Sequence, residues 1–326
     1  ADAFSPPLSL APAISSRLKV MTELDIANRH SPQDGQTSVR IGSRKIDIRF
    51  SCIPTIYGER LVLRLLDQSQ TQLSLDAVGM TRKMQAELLD LVERPTGIIL
   101  VTGPTGSGKT TTLYAALGRI DRASRNVMTI EDPVEYHLDG ISQMQVNVKR
   151  GVTFAAGLRS LLRQDPDVIL VGEIRDAETA QLAIQASLTG HLVLATLHTN
   201  DAPSAITRLI DIGVEPYLVT STLLAALAQR LIRRTCQTCK GSGIGEHVGM
   251  GGKCEVCSGS GYKGRLGIYE IMRMDDDLRK LTLRSADAVA LYESAVAAGF
   301  KTMKDDAAEK VAAGLTDEAE VFRVLH

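Results

Sequence analysis

The chain has no tryptophan, and aromatic residues make up only 4% of its 326 positions. A protein that tracks single-stranded nucleic acid stacks bases on aromatic side chains along a basic groove. The sequence is poor in the first and, with a formal net charge of −1, does not advertise the second. No apolar run approaches the roughly 20 residues needed to span a bilayer. Ala1–Ser16 lacks the basic segment and apolar core of a secretory leader. The first residue is not Met, so the expectation is an N-terminally trimmed chain with upstream segments outside it. A disulfide scaffold is not expected either, because four of the five cysteines fall into two Cys-x-x-Cys pairs, a metal-type spacing.

What is present centres on Gly97–Thr112. Ile98–Val101 is a short apolar run, the pattern of a strand buried on both faces. Gly103–Thr110 then matches G-x-x-x-x-G-K-[ST]. Gly106 and Gly108 allow the backbone to curl with its N–H groups pointing inward at phosphate oxygens. A helix starting near Lys109 aims its positive end at the same place. Lys109 can reach the β- and γ-phosphates, and the Thr110 hydroxyl can ligate Mg²⁺. The plainer reading, a chance glycine-rich turn, does not explain a strand before it and a helix after it.

The rest of the chain reads as α/β. Length and a hydrophobic content of 44% allow about two domains with real cores. Ala1–Ala13 reads as frayed, Ile14–Ala27 as an amphipathic helix, and Pro32–Gly35 as a turn. Ser38–Ile41 and Lys45–Phe50 read as strands flanking Gly42-Ser43, and Glu59–Leu66 alternates again. Residues 1–67 form a front domain, 68–74 a linker, and 75–326 a second domain. In the latter, helices over Thr81–Arg94, Phe154–Leu162 and Asp176–Leu188 alternate with strands at Val127–Ile130, Val168–Val171 and His191–Thr196, which predicts a parallel sheet. Leu223–Ile232 reads as a further apolar helix. A cysteine-bearing insertion spans 235–267, and 275–326 reads as helical, with stops at Gly299 and Gly314. No internal repeat is evident.

Hydrolysis needs carboxylates that hold Mg²⁺ and orient water. Asp167–Glu173 delivers Glu173 at a strand's C-terminal end, where ligands bind in open α/β sheets. A second strand delivers Thr129–Glu135 with three carboxylates, and a third delivers Thr196–Thr199 with His191 at its start. Singly, each has an ordinary alternative as a helix cap or a satisfied core histidine. Three such strand ends beside a phosphate loop favour function.

On these motifs the sequence resembles the secretion ATPase family of type II secretion and type IV pilus assembly. The match runs from Asp25 to the C-terminus through the Walker A loop Gly103–Thr110, an Asp box Thr129–Glu135, a Walker B segment Asp167–Asp176 and a His box Thr189–Thr199. The resemblance implies a RecA-like P-loop ATPase domain behind a small PAS-like α/β domain. It implies ATP bound by Gly103, Pro104, Thr105, Gly106, Ser107, Gly108, Lys109, Thr110 and Thr111. Mg²⁺ falls to Thr110 and Glu173, the water-positioning base to Glu135, and γ-phosphate sensing to His191 and His198. Arg159 and Arg163 before Walker B, and Arg175 after it, carry over as ATP-binding residues. In the front domain Arg49, Arg60 and Arg64 match the family pattern. Gln36 stands where the family has arginine and is assigned no role. Arg49 and Arg64 project from the polar faces of alternating strands and are expected to act on the nucleotide. The family also implies a homo-oligomer, a ring hexamer. It works with an inner-membrane platform protein and an adaptor, from the cytoplasmic side of the bacterial inner membrane, and without nucleic acid. Family segments that dock on membrane partners lie outside this chain.

Cys236, Cys239, Cys254 and Cys257 supply four thiolates for tetrahedral Zn²⁺ across a glycine-rich loop. Free buried thiols or a redox pair are the alternatives, though a redox pair would stand alone. His247 is a possible competing ligand, and Cys52 reads as a small core residue. By resemblance the tetracysteine element marks assembly-type rather than retraction ATPases. Arg230, Arg233, Arg234, Lys240, Lys253, Lys263 and Arg265 surround it, either as a solvated face or as a contact for the platform protein or anionic headgroups. The leading reading is an ATPase motor driving pilus or pseudopilus subunits. A nucleic-acid or DNA-uptake translocase, and a zinc-stabilised binding module with a dead nucleotide site, are the alternatives from other classes.

Overall fold

Alternating side chains build the front of the molecule. In the computed structural model, which describes residues 4–42, 44–67, 74–245, 252–285 and 287–325, the chain divides into two units. The first takes in the described residues up to 67 together with Glu135–His137. It holds helix α1 (Ala11–Met21) and strands β1 (Gln33–Ile41), β2 (Arg44–Thr55) and β3 (Gly58–Asp67) in an antiparallel sheet of order β1-β2-β3. Phe50 and Cys52 are buried on one face. On the other, Arg49 sits directly between Gln36 and Arg64 across the three strands. A buried ion pair ties α1 to the hairpin: Lys19 Nζ lies 2.5 Å from Glu59 Oε1 and also donates to the Asn28 carbonyl. Ser15 donates to the same carboxylate. These bonds, Lys19's first, hold the Glu59 carboxyl down to about 2.

Two expectations change here. The helix stops at Met21 rather than Ala27. Gln33-Asp34-Gly35 is the start of β1, not a turn, and pairs with Cys52, Ser51 and Phe50. Gly35 is needed for close approach, because a Cβ there would lie 2.7 Å from the Thr22 carbonyl oxygen. Of the expected linker, 68–73 lie outside the described residues.

The second unit contains α2 (Arg82–Val92), β4 (Gly97–Thr102), α3 (Lys109–Leu117), β5 (Val127–Glu131), β6 (Ser142–Gln145), α4 (Phe154–Leu161), β7 (Val168–Val171), α5 (Ala177–Leu188) and β8 (Leu192–Leu197). Then come α6 (Ala202–Asp211), α7 (Pro216–Thr222), β9 (Leu223–Thr235), β10 (Tyr262–Arg273), α8 (Asp276–Arg284), α9 (Ala288–Ala297), α10 (Met303–Ala312) and α11 (Glu318–Leu325). The sheet order is β10-β9-β4-β8-β7-β5-β6, parallel except for β10 against β9. β4, β7 and β8 are buried along their whole lengths, as their continuous apolar runs require. Asp176 caps α5 and Thr81 caps α2 through side-chain bonds to their first-turn N–H groups.

The expected helix over Leu223–Ile232 is strand β9. Its leucine- and alanine-rich sequence favours helix locally, but placement between β4 and β10 overrides propensity. The cysteine insertion is shorter than expected at its far end, since 262–267 already belong to β10. Buried carboxylates fasten the last helices. Glu270 accepts from the N–H groups of Ala202 and Met303, at the starts of α6 and α10. Glu320, wholly buried, accepts from Arg233 and Arg323. Among the described residues no helix is long and apolar enough to cross a membrane.

Candidate active site and metal centre

The parallel register brings Thr102, Glu131, Val171 and Leu197 to one edge of the sheet. The phosphate loop leaves β4 at that edge and enters α3 with Gly108 as its N-cap. Gly106 and Gly108 have φ of 80° and 90°, the left-handed curl that the sequence demanded of them. Lys109 turns back over the loop, donating to the carbonyls of Gly103 at 2.6 Å and Pro104 at 3.2 Å. Burial lowers its pKa, and the field of Glu173 works against that shift.

Glu173 follows β7 and is itself buried. It pairs with Arg175 at 2.6 Å and lies 3.3 Å from His198 Nε2. One carboxylate is thus in electrostatic reach of Lys109, Arg175 and His198, beside the loop whose Thr110 opens α3. Thr102 and Thr199 tie β4 to the end of β8. Their hydroxyls are 2.7 Å apart, and Thr199 N–H donates to Thr102 Oγ1. The curled loop, its lysine and this carboxylate suit a nucleotide triphosphate with a hard cation.

Not every expected residue is here. His191 precedes β8, and its carbonyl accepts from Gly97 N–H at the start of β4. It therefore sits at the opposite end of the strand from the phosphate loop, a strand length of about 20 Å. Its Nδ1 lies 2.8 Å from the Ala186 carbonyl oxygen, so that nitrogen carries the hydrogen and caps α5. The structure therefore does not bring His191, expected to sense the γ-phosphate, to the phosphate loop of its own chain. Arg163 follows α4 and donates to the Arg159 carbonyl, while Arg159 pairs with Glu178 on α5. Neither makes a described contact with the loop. Of the three Asp-box carboxylates, Glu131 is buried and bonded by Tyr114, Thr129 and Gln143, a core role. Glu135 belongs to the front unit, where Arg49 Nη2 lies 2.9 Å from its Oε2.

The structure also adds residues that the motifs did not flag. Gln229 of β9 donates to the Ser107 carbonyl at 2.8 Å. It was hidden because its segment read as a helix. The Thr102–Thr199 pair was hidden because its members lie far apart in sequence.

The four cysteines come together. Cys236, Cys239, Cys254 and Cys257 are buried, and their sulfurs all lie within 4.8 Å of one another. Two eight-residue segments build the cluster, Cys236-Gln-Thr-Cys-Lys-Gly-Ser-Gly243 and Cys254-Glu-Val-Cys-Ser-Gly-Ser-Gly261. This is an internal repeat, contrary to the expectation of none. Lys240, Gly241 and Gly243 have positive φ, as do Ser258, Gly259 and Gly261 in the corresponding places. Cys254 N–H bonds the Gly243 carbonyl, and Cys236 N–H bonds the Gly261 carbonyl. A Cβ on Gly243 would be 2.5 Å from the Gly259 oxygen, and one on Gly261 2.5 Å from the Gly241 oxygen. The paired turns have room only for glycine. The donor set fits a soft, tetrahedrally bound divalent cation. His247 lies outside the described residues. Of the surrounding basic residues, Arg233 is engaged with Glu320 and stacked over the Tyr262 ring, and Arg230 donates to Asn200.

Comparison with known proteins agrees with this geometry. A family model described as type II/IV secretion system protein matches residues 2–323. The chain is 53% identical over 323 residues to type II secretion system protein HxcR of Pseudomonas aeruginosa, covering 99% of this chain and 68% of that protein. It is 48% identical over 338 residues to type II secretion system ATPase E of Vibrio cholerae, covering 99% and 67%. The chain spans about two thirds of the length of these curated relatives. Among solved structures, the pilus retraction motor PilT with bound ADP superposes with a TM-score of 0.69 at 29% identity, over 90% of this chain and 77% of that one. The Legionella pneumophila ATPase DotB, at 23% identity and a TM-score of 0.70 over 90% and 77%, shares the fold.

Proposed function

This chain belongs to the type II/IV secretion system protein family, the secretion ATPases, and on that premise we propose that it hydrolyses ATP to drive subunits of a secretion pseudopilus or pilus out of the inner membrane. The observation that carries the reading is the gathering of Gly103–Thr110, Glu173 and His198 at one edge of one sheet. In this reading the loop N–H groups and Lys109 hold the phosphates. Thr110 and Glu173 hold Mg²⁺, which when bound neutralises charge on the γ-phosphoryl group. Glu135 positions the attacking water, and Arg49 and Arg64 add charge to the transition state. Arg175 orients Glu173, and His198 couples it to the end of β8. Arg159 and Arg163, away from the chain's own loop, are left to serve a neighbouring copy's nucleotide.

The proposed domains are 1–67, a linker at 68–74, and an ATPase domain at 75–326 that includes the metal lobe 235–267 and the helices of 275–326. Hydrolysis moves the domains relative to each other, in a homohexamer bound to a platform protein and an adaptor at the inner membrane. The tetracysteine cluster takes Zn²⁺, for which four buried thiols at this spacing are the best match.

Lys109→Ala tests the reading. Turnover should vanish and nucleotide binding weaken, while the metal content stays unchanged, because only the phosphate cation is removed. Hydrolysis at the native rate would move the active site elsewhere. Glu135→Gln should retain bound ATP without turning it over, since an amide holds no proton from water. Normal turnover in Glu135→Gln together with its loss in Glu173→Gln would reverse the two carboxylates' roles.

A further inference from the structure

β9 lies against the phosphate loop. Gln229 is 1% exposed, and its Nε2 donates to the Ser107 carbonyl at 2.8 Å. A Cβ on Gly108 would lie 2.8 Å from that Nε2, and one on Gly103 would lie 2.4 Å from the Gln229 carbonyl oxygen. The absence of side chains at these two loop positions thus serves the neighbouring strand as well as the curl. Gln229 Oε1 has no hydrogen-bond partner among the described residues, so the amide's polar anchorage is to the loop.

We propose that Gln229 is a positioning residue of the nucleotide site, one that sets the plane of the Ser107–Gly108 peptide. In a trans peptide the C=O and the N–H point in opposite directions. With the Ser107 carbonyl drawn toward β9, the Gly108 N–H faces the other way, into the concave side of the loop where phosphate oxygens are held. Without the amide the carbonyl loses its buried donor, and the peptide is free to rotate its N–H out of line. The inference rests on the reading of this loop as a nucleotide site.

Gln229→Met keeps the length and bulk of the side chain but removes the donor. Gln229→Asn keeps an amide that is one methylene too short to reach Ser107. A positioning role predicts the same result for both: Mg–ATP affinity about tenfold weaker, with KM rising in parallel and kcat held within about twofold. A packing role predicts a nearly silent Met variant, and an Asn variant that melts earlier with its KM unchanged. Calorimetric titration of full-length wild type and both variants with Mg–ATP, alongside steady-state kinetics and melting curves, reads the difference. Native affinity in either folded variant overturns the proposal. A wild-type protein that binds no Mg–ATP overturns the nucleotide reading and the proposal with it.

Discussion

The second unit holds two sites built on opposite plans. The cysteine knuckle is local: a repeated eight-residue segment supplies its four thiols, its turns and its close contacts within Cys236–Gly261. The P-loop edge is assembled from the ends of β4, β7 and β8 and from the flank of β9, which together span more than a hundred residues of sequence. A local site carries its own stability with its ligand. A dispersed site depends on the sheet that positions it, and each of its contacts can be lost singly.

Breaking the knuckle should therefore show first in folding. Cys254→Ser removes one of four buried thiols. Metal content should drop well below the one zinc per chain expected of wild type, and stability should fall by several kcal/mol, since binding free energy in such knuckles is also folding free energy. Hydrolysis per folded molecule should fall less than in Lys109→Ala, because the cysteines stand outside the phosphate loop. A full complement of zinc after loss of two cysteines would refute the four-thiolate site. An activity loss equal to that of Lys109→Ala in folded, zinc-free protein would refute the separation of the two sites.

The same contrast explains how much could be read in advance. The phosphate loop, its flanking strand and helix, and the strands bearing Glu173 and His198 were legible because each is a short local pattern with a chemical reason for every residue. The gathering of the four cysteines was legible from spacing alone. Gln229 was not, because Leu223–Ile232 has the composition of a helix and only its neighbours β4 and β10 make it a strand. The Thr102–Thr199 bonds and the ion pair of Arg49 with Glu135 join residues whose proximity is tertiary. The placement of His191 was not legible for a related reason. It and His198 bracket one six-residue strand, and a motif that names both does not say which end carries the chemistry.

The front unit offers a test of intermediate size. Arg49 and Arg64 are directly opposed on one face of an antiparallel pair, where like charges repel. Such a pair suits an anion, and guanidinium groups match phosphate oxygens well. Arg49→Ala and Arg64→Ala should each fold and bind ATP, yet hydrolyse it at least about tenfold more slowly, as expected for loss of a transition-state charge contact. Arg49→Ala also removes a partner of Glu135, so its effect should be the larger of the two. Unchanged turnover in both would leave them as surface arginines.

The smallest effect separates the two histidines. His198 lies 3.3 Å from the buried carboxylate of Glu173, and an alanine there removes a neighbour of the group proposed to hold Mg²⁺. Turnover in His198→Ala should fall several-fold, with the melting temperature nearly unchanged, since the side chain is half exposed. His191 at the far end of β8 caps α5 through the Ala186 carbonyl. His191→Ala should lose about 0.5–1.5 kcal/mol of stability, the worth of one such bond. Monomer turnover, measured below the concentration at which copies associate, should stay close to native. The comparison inverts if His191→Ala melts normally but stops hydrolysis at that concentration while His198→Ala does not. The chemistry would then lie at the N-terminal edge of the sheet, away from Lys109, and the placement of the active site on the phosphate-loop edge would be wrong.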